Sequence, residues 1–175
     1  MTAAKFLLRR AGVGEAPILA AVGIGAWSAS AFADFDRGRT DRFELETEFC
    51  RFCREYAHLI TVAWRDDRAL GWGAREHDDF RISDLWVTPS AQGQGVGAAL
   101  LVKLENDIRK AGHRFAELET YAGNSGAIRF YRRQGYEIVW QGLKHSDSLN
   151  YALEKVRLVK SFEREPPNDT RFPAP

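Results

Sequence analysis

The stretch Gln92–Ala98, QGQGVGA, has a glycine at every second position from its second residue onward. Glycine is costly inside a helix and gives a strand no side chain to pack, so bare backbone must be needed here. Leu101, Leu104 and Ile108 follow at helical spacing, which indicates that the glycines open an amphipathic helix. A helix N-terminus presents unpaired N–H groups and the positive end of the helix dipole. The stretch therefore predicts a binding site for phosphate or pyrophosphate.

Composition limits the classes of protein that can contain such a site. The chain has 175 residues, of which 45% are hydrophobic and 28% charged, enough for one compact domain with a core. Lys and Arg number 25 against 24 Asp and Glu, giving a net charge of +1. This charge creates no field that would gather nucleic acid or anionic membrane, so we expect neither as a partner. An anionic ligand must be held locally.

The N-terminus shares features with a secretory signal peptide. Basic residues between Lys5 and Arg10 precede an apolar stretch over 16–27, and Ala31-Phe32-Ala33 resembles a cleavage site. However, Glu15 and Pro17 lie at the entrance to the apolar stretch, and proline is well accepted in the first turn of a helix. We favour an opening strand over 5–10 followed by a helix, and a cytoplasmic protein.

The two cysteines, Cys50 and Cys53, form a single CxxC. A structural zinc site needs further ligands at suitable spacing, and the chain has no second CxxC and no HxxxH. Because Phe49 and Phe52 continue a helical periodicity through this segment, buried packing is the favoured interpretation and a redox pair is the alternative. We expect no metal site.

The remaining pattern predicts one α/β domain with a mixed (α+β) sheet over residues 1–160 and a proline-rich tail over 161–175. Turn signals between short apolar runs indicate antiparallel hairpins, whereas the strand-helix-strand step over 80–120 favours a parallel pair. The expected architecture is a central, mostly antiparallel twisted sheet of about seven strands flanked by about four helices. The predicted helices are 15–30, 41–57, 98–110 and 126–133, and the predicted strands are 5–10, 58–64, 69–76, 80–88, 114–120, 136–141 and 150–158.

Three phosphate-binding schemes compete for the glycine stretch. The P-loop is excluded because no Lys-Ser or Lys-Thr follows the glycines. The dinucleotide fingerprint GxGxxG/A matches Gly93–Ala98, and Glu117 or Glu119 lies near the distance expected for a ribose ligand. Its context is wrong, since Pro89 separates strand from glycines and the preceding elements are helices and hairpins. An NAD(P)-dependent oxidoreductase remains an alternative.

The third scheme rests on two motifs. Gln92-x-x-Gly95-x-Gly97 resembles the acetyl-CoA pyrophosphate loop, Q/R-x-x-G-x-G/A, of the GCN5-related N-acetyltransferases (GNAT superfamily). Further along, Asn124-x-x-Ala127-x-x-Phe130-Tyr131-x-x-x-Gly135-Tyr136 resembles the later helix motif of the same family, N-x-x-A-x-x-F-Y-x-x-x-G-F. The resemblance covers about residues 5–158, with the N-terminal third matching in outline only.

The resemblance implies an acetyl-CoA-dependent N-acetyltransferase that transfers acetyl directly to an amine in a ternary complex, without a metal. Pantetheine would lie in a gap between the strands at 82–88 and 114–120. The implied partners are acetyl-CoA and an unidentified small-molecule or peptide amine, and the chain is compatible with a homodimer. A non-catalytic CoA-binding sensor is the further alternative. The implied cofactor-binding residues are Trp86, Val87, Gln92, Gly93, Gln94, Gly95, Val96, Gly97, Ala98, Asn124, Ala127 and Tyr131.

The implied catalytic residues are Tyr131 and Asp84. Tyr131 corresponds to the family's general acid for the leaving thiolate, and the backbone N–H near Val87 corresponds to its oxyanion donor. Asp84 is the candidate general base, with Glu119 and His77 as further candidates. Strand alternation places Asp84 on the face opposite Leu85 and Val87, unless a bulge re-aims it, so substrate binding or a salt bridge remains open as its role.

Overall fold

The computed structural model describes residues 6–36, 38–77, 79–146 and 149–162. Within them the chain forms seven strands and five α-helices. The strands are β1 (Leu7–Arg10), β2 (Ile60–Arg65), β3 (Arg68–Ala74), β4 (Asp84–Val87), β5 (Phe115–Tyr121), β6 (Glu137–Ser146) and β7 (Tyr151–Ser161). The helices are α1 (Ala16–Ser28), α2 (Ala31–Asp36), α3 (Arg42–Glu55), α4 (Val96–Lys110) and α5 (Ser125–Arg133).

The strands form two antiparallel sheets instead of one continuous sheet. The first has the order β1-β2-β3-β4 and the second the order β5-β7-β6. They meet at a parallel bridge between Arg81 and Glu117, where Ile82 N–H donates to the Glu117 carbonyl at 2.8 Å. Beyond this bridge, the described part of the chain pairs β4 only with β3 and β5 only with β7. The predicted parallel pair is therefore reduced to one bridge, and a gap opens between β4 and the end of β5.

Helices cover the two faces of the first sheet. Leu19 of α1 and Phe49 of α3 pack on one face around Trp72, whose indole N–H donates to the Leu19 carbonyl at 2.8 Å. Leu100 and Leu104 of α4 pack on the opposite face, and α4 also covers the second sheet. No helix within the described ranges is both long and apolar enough to cross a bilayer.

The seven predicted strands and the single mixed domain are confirmed, but several bounds differ. Helix α2 is an additional element between the first two predicted helices, beginning where the Ser30 hydroxyl lies 3.4 Å from Ala33 N–H. Strand β6 continues to Ser146, well past the predicted end at 141. Strand β7 includes Ser161, the first residue of the predicted tail, and residues 163–175 of that tail lie outside the described residues.

The CxxC segment lies in α3, where Cys53 is fully buried and Cys50 is half-buried. Burial, with smaller contributions from Asp84 and Cys50, raises the pKa of Cys53 to about 12. A thiol held protonated in this way is a poor nucleophile and metal ligand, which supports the packing interpretation. No group of three or more His, Cys, Asp or Glu side chains in the described ranges is placed to hold a metal ion.

Candidate active site

The glycine stretch forms the connection between β4 and α4. Gly93 and Gly95 have φ angles of 74° and 82°, in the left-handed region that residues with a Cβ rarely adopt, and Gly95 is the N-cap of α4. Within the described residues, five backbone N–H groups of this loop donate no hydrogen bond: those of Gly93, Gly95, Val96, Gly97 and Ala98. The loop therefore offers a set of free donors at the positive end of a 15-residue helix.

Two glutamine side chains hold this loop in shape. The Gln92 amide donates to the Val87 carbonyl at 3.3 Å, and the Gln94 amide donates to the Ser90 carbonyl at 2.7 Å. The Gln94 side-chain oxygen in turn accepts a hydrogen bond from Arg65 at 3.1 Å, which ties the loop to the β2–β3 hairpin. Both residues, expected among the cofactor contacts, are thus used in part to fix the loop backbone.

A β-bulge precedes β4. Ala74 of β3 is the register partner of Asp84, yet its carbonyl also accepts the N–H of Ser83 at 3.0 Å, so two residues oppose one. The consequence is a change of face: Ile82 and Leu85, three residues apart, both pack against α4. Asp84 consequently lies on the face opposite α4, as the alternation from Leu85 predicted.

Asp84 is half-buried on that face beside Trp86. The Trp86 indole N–H donates to Asp84 Oδ1 at 2.9 Å, and the Trp86 ring packs edge-on to Phe49 with centroids 5.3 Å apart. Burial raises the pKa of Asp84, and the hydrogen bonds from Trp86 and Ser83 oppose that shift only in part. Trp86, expected among the cofactor contacts, therefore lies with its ring toward α3 and supports the Asp84 carboxylate.

The backbone of β4 directs polar groups into the gap. Thr88 N–H donates to the Leu70 carbonyl of β3. Because hydrogen-bonded residues alternate along an antiparallel ladder, Trp86 also hydrogen-bonds β3 through its backbone, whereas the backbone of the intervening Val87 does not. The N–H of Val87 therefore points away from β3, toward the side on which no described strand pairs with β4. A donor in this position can contact an extended ligand or a developing oxyanion.

Tyr131 approaches from the α4 side. It lies in α5, is 9% exposed, and packs in the core that contains Leu101 and Leu104. Within the described residues its hydroxyl makes no hydrogen bond. Burial, and secondarily the charge of Asp84, raises its pKa, so the phenol is protonated at neutral pH and lies within electrostatic reach of Asp84.

Asn124 and Ala127 occupy the first turn of α5. The Asn124 side chain accepts the N–H of Ala127 at 3.2 Å and so caps the helix. Within the described residues, the Asn124 amide nitrogen makes no hydrogen bond of its own. Phe130 packs toward the glycine loop, because a Cβ added to Gly97 would lie 3.5 Å from its ring.

On the face opposite α4, an aromatic cluster lies at the end of β5. Tyr121 contacts Phe35 and Phe32 of α2, with ring centroids 4.7 and 5.4 Å apart, and Phe32 also meets Trp27 of α1. Helix α2 thereby connects the helical layer of the first sheet to the second sheet. This segment was not predicted as a helix, and Ser30, a residue type favoured at helix N-caps, is the one local signal for its start.

The α2 segment is anchored by a buried carboxylate. Asp36 is 0% exposed and accepts hydrogen bonds from the Tyr151 hydroxyl at 2.6 Å and from Thr40. Burial alone would raise the pKa of Asp36, but the hydrogen bonds from Tyr151 and Thr40 outweigh it and the pKa is lowered. The ionised carboxylate therefore links α2 to β7.

The other candidate bases are placed less favourably. Glu119 accepts hydrogen bonds from Lys144 and Arg157, each at 2.8 Å, and although burial opposes them these cations lower its pKa. A carboxylate neutralised by two cations is a weak base. His77 is exposed in the loop after β3, 3.9 Å from Glu76. Glu119 is therefore engaged by two cations and His77 lies at the surface, and the choice of Asp84 as the base stays a prediction.

A protein-family model described as Acetyltransferase (GNAT) family matches residues 26–136. The chain belongs to the GNAT family. Among its relatives are the mycothiol acetyltransferase of Clavibacter sepedonicus, 26% identical over 73% of this chain and 46% of that one, and the aminoalkylphosphonate N-acetyltransferase of Salmonella typhimurium, 41% identical over 32% and 36%. The chain spans less than half of the length of these relatives.

Solved structures of GNAT proteins have the same fold. A GCN5-related N-acetyltransferase from Rhodopseudomonas palustris superposes with a TM-score of 0.74 at 18% identity, covering 92% of this chain and 98% of that one. The PaiA N-acetyltransferase of Thermoplasma acidophilum, solved with coenzyme A, superposes with a TM-score of 0.68 at 15% identity, covering 90% and 99%. At these identities the structural likeness establishes the fold.

Proposed function

We propose that this GNAT-family chain transfers an acetyl group from acetyl-CoA to a primary amine of a small molecule or peptide, by direct attack in a ternary complex. The observation that carries this proposal is the glycine loop, whose five free N–H groups stand at the start of α4 beside the gap between β4 and β5. A pyrophosphate fits these donors, and an extended pantetheine fits a gap edged by unpaired strand backbone.

The acceptor amine would approach from the face opposite α4. Asp84 lies on that face, and its raised pKa makes it a stronger base than an ordinary carboxylate. In the proposed step Asp84 takes a proton from the ammonium, directly or through water, and the amine nitrogen attacks the thioester carbon. The Val87 N–H would stabilise the oxygen that becomes negative.

The leaving group would depart on the opposite side. As the carbon–sulfur bond breaks, the electron pair stays on sulfur, and the Tyr131 hydroxyl supplies the proton that yields coenzyme A as a thiol. Tyr131 is suited to this role because it is protonated at neutral pH and its hydroxyl has no partner among the described residues. The nitrogen gives up two protons in all: one passes from the ammonium through Asp84 to solvent, and the second leaves the tetrahedral intermediate for solvent as it collapses to the amide. Solvent returns one proton to Tyr131, so each turnover releases one proton net.

Two measurements test the proposal and separate its alternatives. Thermal unfolding is recorded with acetyl-CoA, CoA, NAD or NADP, since a ligand at 100 times its dissociation constant stabilises by about 2.7 kcal/mol. Coenzyme A release is then followed on a panel of small amines and peptides. Stabilisation by NAD or NADP alone would favour an oxidoreductase, and binding of CoA without turnover on any amine would favour a sensor.

A further inference from the structure

Strand β6 forms an uncovered edge of the second sheet. In the order β5-β7-β6, its ladder within the described residues is with β7 alone. Eight of its ten residues are exposed, so neither of its two faces is covered by a helix. A strand in a packed sheet ordinarily buries at least one face, which makes β6 unusual for a ten-residue strand.

The exposed side chains of β6 are apolar to an unusual degree. Exposed fractions are 43% for Ile138, 59% for Val139, 37% for Trp140 and 74% for Leu143. A long apolar edge strand is a template for pairing with another chain, and monomeric proteins normally protect such edges with charges or short strands. The apolar surface together with the unpaired backbone indicates that another strand covers β6.

The remaining C-terminal segment of this chain is a poor candidate for that strand. Phe162, which follows β7, donates its N–H to the Arg114 carbonyl at 2.8 Å, on the β5 side of the sheet and away from β6. The segment 163–175 contains four prolines, which have no N–H to donate to a ladder. A strand from a second molecule is the better partner.

The sequence of β6 is complementary to itself in the antiparallel direction. It has an acidic residue at its start, Glu137, and basic residues near its end, Lys144 and His145, with apolar residues between them. Strand β6 has a bulge at Val139, because Ile138 pairs with Leu158 of β7 and Trp140 with the next residue, Arg157. With this extra residue counted, an antiparallel alignment that sets Glu137 opposite Lys144 of a second copy also sets Ile138 opposite Leu143, and the members of each pair lie on the same face. Lys144 already holds Glu119, but an ammonium has three N–H donors and can serve both carboxylates.

We propose that β6 pairs antiparallel with β6 of a second copy about a two-fold axis, joining the two second sheets into one continuous sheet. Such an interface is isologous, so each contact occurs twice. It covers the apolar side chains of β6 and satisfies its unpaired N–H and C=O groups. The contact does not depend on the acetyl transfer proposed above.

Sedimentation velocity on the full chain tests this pairing, at protein concentrations from about 1 μM to about 100 μM, where modest dimers dissociate. We expect the unmodified chain to sediment as a dimer at the upper end. Leu143→Glu should weaken the dimer at least about tenfold, because it buries an unpaired carboxylate twice per interface. Val139→Glu should act in the same direction.

The matched control is Phe43→Glu in α3, where the native side chain is 78% exposed and distant in sequence from β6. This variant should dimerise like the unmodified chain. Thermal unfolding of each variant checks that the fold is retained, which we expect because the replaced side chains are exposed. A monomer throughout the concentration range, or a dimer unaffected by Leu143→Glu, would overturn the proposal.

Discussion

Replacing Gly95 or Gly97 by alanine separates the two reasons for having glycine in the loop. Gly95 has a φ of 82° with nothing within 4 Å of an added Cβ, so Gly95→Ala has room but is strained by the backbone alone. Gly97 lies in α4 without a left-handed φ, and an added Cβ would meet Phe130 at 3.5 Å and Val87 at 3.6 Å, which is ordinary contact. The two variants add the same methyl group two residues apart.

The left-handed conformation costs a residue with a Cβ about 1–2 kcal/mol. If the loop of Gly95→Ala keeps its shape, this cost appears in the free energy of unfolding. If the loop of the unliganded variant instead adopts another conformation, acetyl-CoA binding must restore the left-handed one. The cost then appears as a loss of acetyl-CoA affinity of about 5-fold to 30-fold. Gly97→Ala should leave both nearly unchanged, or gain up to about 1 kcal/mol of stability from helix propensity.

Calorimetric titration with acetyl-CoA and chemical denaturation measure the two parts. For Gly95→Ala, the sum of the losses in binding and unfolding free energy should be about 1–2 kcal/mol. The reasoning is refuted if that sum is near zero. It is also refuted if Gly97→Ala weakens binding more than Gly95→Ala, since space for the ligand and not backbone conformation would then be the constraint.

Three further substitutions address catalysis and the α2 anchor. Tyr131→Phe should lower turnover about 100-fold with acetyl-CoA affinity unchanged, and an unaltered rate in steady-state assays would remove Tyr131 from catalysis. Burial raises the pKa of Asp84 in the folded protein, so the ionised carboxylate destabilises the fold at any pH above the pKa that Asp84 has in the unfolded chain. Asp84→Asn should therefore raise the Tm at neutral pH, and it should abolish the acid limb of the pH profile of kcat/KM. A lower Tm would contradict this. Tyr151→Phe removes the donor to Asp36 and should cost about 1.5–3 kcal/mol, with faster hydrogen exchange in α2; unchanged exchange there would show that the anchor is elsewhere.

Sequence reasoning located the loop and the strands because both have strong local signals. Glycines before an amphipathic helix indicate a backbone conformation that other residues rarely adopt. Gly93 and Gly95 have such a conformation, with left-handed φ angles. The strands were found as short β-branched runs between turn signals. The residues of the candidate site follow from these two elements and the family motifs, and their roles stay predictions.

The features that sequence reasoning missed depend on contacts between distant segments. Helix α2 has six residues, too short for a periodic pattern, and is held by Asp36 contacting Tyr151 across 115 positions. The division into two sheets also has no local signal, because it depends on which strands find partners after the bridge at Arg81 and Glu117. Strand β6 was predicted to end at 141, but its ladder with β7 continues to Ser146 opposite Tyr151, and this pairing has no local signal in the sequence of β6.

Because of the bulge at Ser83 and Asp84, the number of residues in the connection before β4 determines which side chains of β4 face α4. Removing one residue there would restore simple alternation and rotate all of β4 by half a turn, turning Leu85 and Val87 away from α4 and Asp84 into the core. Ser83 itself is exposed, but its hydroxyl accepts the N–H of Glu76 at 3.1 Å and donates to the Ala74 carbonyl at 3.3 Å, so its side chain helps to hold the bulge. A substitution at Ser83 would therefore lose local hydrogen bonds, whereas a single-residue insertion or deletion would exchange the two faces of β4.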